Sequence, residues 1–184
     1  MDKIKGDDLM PSVNNLISII NDRKGLAPAN RYRVLFVPPL IIRGDYNINH
    51  VDALCESTSL PGKQITTIDA PLYAYRQSTK YPNGYTFEDI TFSFYLTNDF
   101  YIRKIFDRWL DQIVTPSYLI KYDKDYKVDI EIQQLDQNDK KIYAVRLIKA
   151  FPITINSNEL SNGASSEPQK LSVTMTFEDW RPIQ

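Results

Sequence analysis

The sequence is poor in the residues on which much protein chemistry depends. It has one cysteine, Cys55, and one histidine, His50, among 184 residues. A single cysteine forms no internal disulfide and no secretory leader pattern opens the chain, so we expect a protein made in a reducing cytoplasm. One histidine supplies no His-based metal cluster or Ser–His pair. The six glycines include no phosphate-binding loop. We therefore expect no enzyme, no cofactor and no metal.

The chain also lacks an excess of either charge and lacks long apolar runs. Its 22 Lys+Arg stand against 23 Asp+Glu, a net charge of −1, which argues against a nucleic-acid binder. The longest apolar runs, such as 34–37, are far too short to span a bilayer, so we expect no membrane insertion. A tyrosine-using nucleic-acid-binding β domain stays open as an alternative, because a neutral chain can still gather lysines on one face. A small hydrolase is another, although no triad is evident.

Alternating apolar and polar residues are the main positive signal. They predict strands at 31–37, 50–62, 85–96, 126–135, 140–151 and 169–180. Expected inward side chains include Val51, Ala53 and Cys55 in the second of these strands, and Tyr143, Val145 and Leu147 in the fifth. The pattern predicts a mainly β chain, an antiparallel sandwich or barrel with one flanking helix.

Helical spacing occurs in two segments. Residues 100–113 place Ile102, Ile105, Phe106, Trp109, Leu110 and Ile113 on one stripe after three candidate N-caps at 97–99. Residues 11–25 predict a shorter amphipathic helix, which needs a surface on this subunit or another. We therefore divide the chain into an N-terminal extension, 1–27, and a β domain, 28–184.

The remaining candidate sites have structural interpretations. His50 stands at the entrance of a predicted strand, and Cys55 follows its apolar face as a small core residue. Carboxylates are adjacent at Glu88–Asp89 and Glu178–Asp179, where a strand would point them to opposite faces. The run 121–127 alternates aspartates but lacks the glycine and closing glutamate of a calcium loop, so we expect a turn.

Several short motifs occur in order over residues 28–181. They are Asn30, Tyr32, Val34 and Phe36 in an early strand, C-x-x-T-x-L-P at 55–61, T-F-E-D-I-T-F at 86–92, Phe106, Asp107 and Trp109 in the helix, Phe151-Pro152, and a last strand closing with Trp180. This order resembles the tail tube proteins of contractile-tailed bacteriophages, a family that includes tube-like baseplate initiators.

The resemblance implies a β-sandwich flanked by a helix, whose copies form hexameric rings with their inner strands joined in one barrel. The rings would stack into the inner tail tube through which phage DNA is ejected. The implied partners are other copies, the tail sheath, baseplate or tube initiator proteins, and the tape measure protein and transiting DNA in the lumen without specific binding. The implied location is the virion tail, after synthesis in the host bacterial cytoplasm.

One alternative within this resemblance stays open. The segment 1–27 is long for a compact tube subunit, which is consistent with a baseplate tube initiator or hub-proximal ring protein of the same fold.

The resemblance leads to hypotheses about two sets of residues, one lining the lumen and one contacting a neighbouring subunit. The polar face of 86–95 and/or 127–133 would line the lumen, through Asp89, Thr91, Ser93, Asp129 and Glu131, because hydroxyls and carboxylates do not hold a polyanion. The segment 62–85 is long and aromatic, and it has no clear core pattern. We expect it to reach a neighbouring subunit through Tyr73, Tyr75, Tyr81 and Tyr85.

Overall fold

The computed structural model describes residues 13–39, 42, 47–71, 78–114, 117–158, 160–161 and 168–183, and strands are the commonest regular structure among them. The helices are α1 (Val13–Asp22), α2 (Ile48–Leu54), α3 (Tyr101–Ile113) and α4 (Asp123–Tyr126). The strands are β1 (Tyr32–Phe36), β2 (Cys55–Ser57), β3 (Gln64–Pro71), β4 (Ser78–Thr86), β5 (Ile90–Tyr95), β6 (Val128–Leu135), β7 (Lys141–Ile155), β8 (Lys170–Thr176) and β9 (Asp179–Ile183). The predicted fold class, mainly β with flanking helices, is confirmed.

All strand pairs are antiparallel, and the main strands follow the order β1-β6-β7-β8-β5-β2, with β9 also on β7. The long strand β7 belongs to two halves of this arrangement. Its first part pairs with β6 and β9, and its last part, from Phe151, pairs with β8. We call β1, β6, early β7 and β9 the first sheet, and late β7, β8, β5 and β2 the second sheet. Strands β3 and β4 form a separate two-stranded sheet.

A charged cluster holds β7 where it passes between the two sheets. Lys149 has a left-handed backbone (φ 56°), and its N–H donates to Asp129 Oδ1 at 3.1 Å. The Lys149 ammonium lies 2.8 Å from Glu178, whose other oxygen lies 2.8 Å from Lys127 Nζ. Lys127 also pairs with Asp123 at 2.6 Å. Hydrogen bonds from Lys127 hold the pKa values of the Asp123 and Glu178 carboxyls below their ordinary values.

The two ends of the strand order approach each other beside α2, so the main sheet is nearly a closed barrel. The Tyr32 hydroxyl of β1 donates to the carbonyl of Cys55 in β2 at 3.0 Å. Asp52 of α2 accepts the backbone N–H of Val34 at 2.9 Å and pairs with Arg33 at 3.0 Å. Side chains, rather than a strand ladder, therefore join the two ends.

Helix α3 packs against strands of both sheets and completes the core. The Phe106 ring lies 5.9 Å from Phe36 of β1 and 5.5 Å from Phe94 of β5, and it stacks on Trp109 at 6.0 Å. Trp109 is fully buried, and its Nε1–H donates to the Tyr126 carbonyl at 2.8 Å. Each such ring stabilises the fold by roughly 2 kcal/mol through burial.

Most of the strongly periodic predictions are confirmed. Buried side chains on β5, α3, β6 and β8 include Ile90, Phe92, Phe94, Ile102, Ile105, Phe106, Trp109, Ile130, Ile132, Leu171, Val173 and Met175. Val145 and Leu147 of β7 are buried as expected. These elements share one core, because a period of two or 3.6 residues turns every apolar position of an element inward.

Several predictions are wrong. Residues 50–62 are not one strand, because α2 runs to Leu54 and only Cys55–Ser57 is extended, which leaves Ala53 exposed. The N-cap of α3 is Phe100 rather than a residue of 97–99. Tyr143 is exposed, although Val145, two positions along the strand, lies in the core, because Tyr143 stands opposite Gln134 near the end of the β6–β7 ladder. Ala144 is buried outside the core cluster. The expected turn at 121–127 contains the short helix α4.

Candidate assembly surfaces

The residues with reactive side chains do not form a catalytic site in the described part of the chain. His50 is exposed on α2, and its ring lies edge-on to Tyr101 at 5.8 Å. Burial raises the pKa of the Cys55 thiol to about 12, so the thiol is protonated at neutral pH. No group of three or more His, Cys, Asp or Glu in the described residues could hold a metal ion. None of the described helices is long and apolar enough to cross a membrane.

The β3–β4 hairpin is the most exposed regular element of the β domain. The two strands pair from Gln64↔Thr86 to Pro71↔Ser78. Ile65, Ile68, Tyr81 and Tyr85 are 56%, 53%, 52% and 62% exposed. Tyr73 and Tyr75 lie outside the described residues. A two-stranded sheet alone is marginally stable in water, so these side chains need a further surface.

Both faces of the hairpin carry an exposed apolar pair. Ile65 lies opposite Tyr85, and Ile68 lies opposite Tyr81. Residues directly opposite each other share a face, whereas Ile65 and Ile68, three positions apart, point to opposite faces. One isoleucine–tyrosine pair is therefore presented on each side of the hairpin, an arrangement that can contact two neighbours.

The root of the hairpin lies beside the edge of the first sheet. Trp180 of β9 donates its Nε1–H to the Gly62 carbonyl at 3.3 Å. Lys63 Nζ lies 4.0 Å from the centre of the Tyr85 ring, a cation–π contact. The hairpin therefore leaves the β domain next to β9.

The proposed lumen residues lie on two polar faces that the structure does not bring together. Thr91 and Ser93 of β5 belong to the second sheet, whereas Asp129 and Glu131 of β6 belong to the first. Their buried neighbours on the two sheets meet in one core, so the polar faces point away from it on different sides. Asp89 is exposed just before β5.

Most of the charge on these two faces is paired. On the second sheet, Thr91 Oγ1 lies 3.3 Å from Thr174 Oγ1, and Ser93 donates to Glu56, which pairs with Lys170. On the first sheet, Glu131 lies 3.8 Å from Arg146. Neither of these faces presents a cluster of unpaired cations among the residues described here.

Helix α1 has an apolar face with no packing partner in the described residues. Val13, Leu16, Ile17 and Ile19 are exposed, and no residue of the helix is buried. A helix of ten residues is marginal by itself in water. The apolar face of α1 is therefore a second candidate contact surface.

Comparison with known proteins agrees with this architecture. The profile of the family described as phage tail tube protein matches residues 27–182. The chain belongs to the phage tail tube protein family. No curated protein matches it by sequence.

Solved structures show how widely this tail tube fold is shared. A chain of the anti-feeding prophage baseplate has a TM-score of 0.66 and 14% identity, over 86% of this chain and 95% of that one. A chain of an extracellular contractile injection system, in the sheath–tube complex, has a TM-score of 0.59 and 17% identity over 86% and 91%. A chain of the anti-feeding prophage tube-terminating cap has a TM-score of 0.63 and 16% identity over 99% of both chains.

Some residues of these surfaces were not predicted from the sequence. Ile65 and Ile68 were missed beside the tyrosines, although β-branched residues amid threonines at 64–68 are a strand signal. No local sequence pattern indicates that Trp180 contacts the hairpin root, because its partner Gly62 is far away in the sequence.

Proposed function

We propose that this tail tube family member forms hexameric rings that stack into the inner tube through which phage DNA is ejected. The observation that carries the proposal is the β3–β4 hairpin, which offers an apolar pair on each face and packs neither pair in its own core. We expect other copies to cover the side chains that a folded copy leaves exposed in this way.

The hairpin geometry supports contacts of the head-to-tail kind. A surface that differs from the one it binds gives a heterologous interface, which closes into a ring or continues as a filament. With one face on a neighbour in the ring and the other on the next ring, the hairpin would serve both contacts. Burying an isoleucine and a tyrosine together stabilises such a contact by about 3–5 kcal/mol before the costs of association.

The lumen is proposed to be lined by polar side chains that do not retain DNA. Of the two polar faces, that of the first sheet is favoured, because the hairpin root joins this sheet at β9. Asp129 and Glu131 lie on this face. A wall with paired charges and carboxylates releases few counterions from a phosphate backbone and therefore binds DNA weakly. DNA could then pass along the lumen without first having to dissociate from the wall. The face with Thr91 and Ser93 is the alternative.

The sheath, the baseplate and the tape measure protein are proposed partners. The similar chains come from a sheath–tube complex and from a baseplate, which supports the first two partners for this chain. We assign DNA and the tape measure protein to the lumen, without specific binding. The location that follows is the phage tail, after synthesis in the host cytoplasm.

A second candidate is a single-ring protein at one end of the tube, such as an initiator. The match that spans 99% of both chains, and therefore includes the N-terminal segment, is to a tube-terminating cap. The unpacked apolar face of α1 is consistent with an additional partner at such an end. Electron microscopy of the purified chain separates the candidates: a tube subunit gives long tubes, and an end protein gives single rings.

Paired substitutions on each face of the hairpin test the proposal. Ile65→Glu with Tyr85→Glu changes one face, and Ile68→Glu with Tyr81→Glu changes the other. The matched control, Gln137→Glu with Asn138→Glu, adds the same charge at an exposed turn. We expect sedimentation and electron microscopy to show assembly by the wild type and the control and its loss in both hairpin variants, with unchanged circular dichroism. Normal assembly of both hairpin variants would contradict the proposal.

A further inference from the structure

The loop that connects α3 to α4 is strongly exposed although most of its side chains are apolar or aromatic. Within residues 117–122, which we call the apolar loop, four side chains are 90%, 68%, 73% and 79% exposed: Tyr118, Leu119, Ile120 and Tyr122. The base of the loop is fixed, because Val114 forms a bridge with Ile120 and the Lys121 N–H donates to the Ile113 carbonyl at 3.2 Å. A fixed loop that exposes so much apolar surface is a candidate contact surface.

The apolar face of α1 is the other surface of this kind. Val13, Leu16 and Ile17 are exposed on it. The helix ends in a left-handed turn, in which the Gly25 N–H donates to the Ile20 carbonyl at 2.8 Å. The whole of α1 precedes residues 27–182, which match the tail tube family. A contact made by α1 is therefore additional to those of the shared domain.

The two surfaces lie beyond opposite ends of β6. The chain that follows α1 reaches the last residue of this strand, where the Leu135 N–H donates to the Arg31 carbonyl at 2.9 Å. The apolar loop lies near the beginning of the strand, because the preceding helix α3 stacks Trp109 on Phe36, which is opposite Ile130. The eight residues of β6 span about 23 Å between these ends.

Within one copy the two surfaces leave each other uncovered. No residue of α1 is buried, and the side chains of the apolar loop are exposed. When copies follow one another along the direction of β6, the end that carries α1 in one copy comes next to the apolar loop of the next. Two different surfaces at opposite ends of a subunit give a head-to-tail contact that repeats from copy to copy.

The two surfaces also match in chemistry. Residues 13–21 of α1 and residues 117–120 of the apolar loop contain no charged side chain. The centres of protein interfaces are depleted of charge and enriched in tyrosine, and the loop supplies two tyrosines to the aliphatic side chains of the helix. Their contact therefore buries no unpaired charge. A contact between two α1 helices would leave the apolar loop uncovered.

We propose that the apolar face of α1 docks on the apolar loop of the next copy and joins successive copies head to tail. The proposal deepens the proposed function and rests on it for the repetition of this contact along a tube. The contact is separate from those of the β3–β4 hairpin, because neither surface includes a residue of β3 or β4.

Cysteines placed on the two surfaces test the contact in the full-length protein. The test variant carries Leu16→Cys with Ile120→Cys. Its matched control carries Ser18→Cys with Ile120→Cys, because Ser18 lies on the opposite side of α1 from the apolar face. The wild type measures any background from Cys55, whose thiol is protonated at neutral pH. Each protein is oxidised with copper phenanthroline and separated on a non-reducing gel, as are each single variant and an equal mixture of Leu16→Cys and Ile120→Cys.

We expect a ladder of dimers, trimers and longer multimers for the test variant and dimers for the mixture, both several-fold above the Ser18→Cys control. A bond formed only within single copies, dimers from Leu16→Cys alone, or equal cross-linking of the control overturns the proposal. If Ile120→Cys changes the circular dichroism, Tyr118→Cys takes its place, because that side chain is 90% exposed.

Electron microscopy of the wild type separates this proposal from the proposed function. A ladder from the test variant without rings or tubes of the wild type contradicts the proposed function and leaves the α1 contact in place. Rings or tubes of the wild type without a bond between positions 16 and 120 overturn the α1 contact and leave the proposed function standing.

Discussion

Replacing Trp109 with phenylalanine tests how α3 holds the barrel together. The indole is fully buried, and its N–H is bonded to the Tyr126 carbonyl at 2.8 Å, just before β6. Phenylalanine keeps an aromatic ring in the stack with Phe36 and Phe106 but has no donor. The carbonyl then loses this partner in a buried site.

The expected loss has two parts. A buried carbonyl left without its donor costs about 1–3 kcal/mol. The smaller ring leaves unfilled volume and loses buried area, which costs about 1 kcal/mol more. Together they give roughly 2–4 kcal/mol, against a total stability of about 5–15 kcal/mol for a domain. With an m-value of about 2 kcal/mol per molar urea, the midpoint falls by roughly 1–2 M.

The other tryptophan provides the matched control. Trp180 is half-buried, and its N–H donates to Gly62 at 3.3 Å in an exposed contact. Water can replace this donor, so Trp180→Phe costs below about 1 kcal/mol. Urea unfolding of dilute, unassembled protein, followed by circular dichroism, measures both variants. Equal midpoints for the two would refute the assignment of Trp109 as the link between α3 and the strand that follows it.

Two further predictions concern surface groups. Hydrogen bonds from Lys127 lower the pKa of Asp123 and Glu178, so the folded state binds protons less readily than the unfolded state. The stability that these carboxylates contribute is present above their unfolded-state pKa and is lost as the pH falls through their lower folded-state pKa. The urea midpoint should therefore fall less on acidification in Lys127→Met than in its exposed control Lys124→Met. Leu16→Glu on α1 should leave unfolding unchanged but weaken assembly in sedimentation, whereas Asn15→Glu should not, because Leu16 is 56% exposed and packs on no core.

The core of this fold was predictable because it repeats locally. Spacing alone predicts the burial of several aromatic residues, namely Phe92 and Phe94 on β5 and Phe106 and Trp109 on α3. The buried face of such an element can be predicted without knowing which elements it packs against. Their apolar faces are specified by the geometry of a strand or a helix.

The errors arose where a distant contact decides the local structure. Residues 51–55 alternate like a strand, yet α2 forms there and its Asp52 bonds the Val34 N–H of β1. Strand β9 was not resolved as a separate element, because Pro182 weakens a short pattern that only pairing with β7 makes extended. In β7, Tyr143 alternates with Val145 like a core residue, yet it is exposed because it lies near the end of the β6–β7 ladder.

The hairpin was not predicted from the sequence. Segment 62–85 was noted only as lacking a core pattern, and its pairing into β3 and β4 was not recognised. Its contact with a neighbouring subunit stays a prediction. The register shift that brings Thr67 opposite Pro82 places the two isoleucine–tyrosine pairs on opposite faces. The tyrosines alone did not reveal this arrangement.

The residues proposed for assembly do not overlap with the core. The buried core cluster is drawn from β1, α2, β5, α3, α4, β6, β7 and β8 and their flanks, and it includes no described residue of β3 or β4. If the proposed function holds, we expect a hairpin substitution to change the free energy of association with little effect on the free energy of unfolding, and a core substitution to do the reverse.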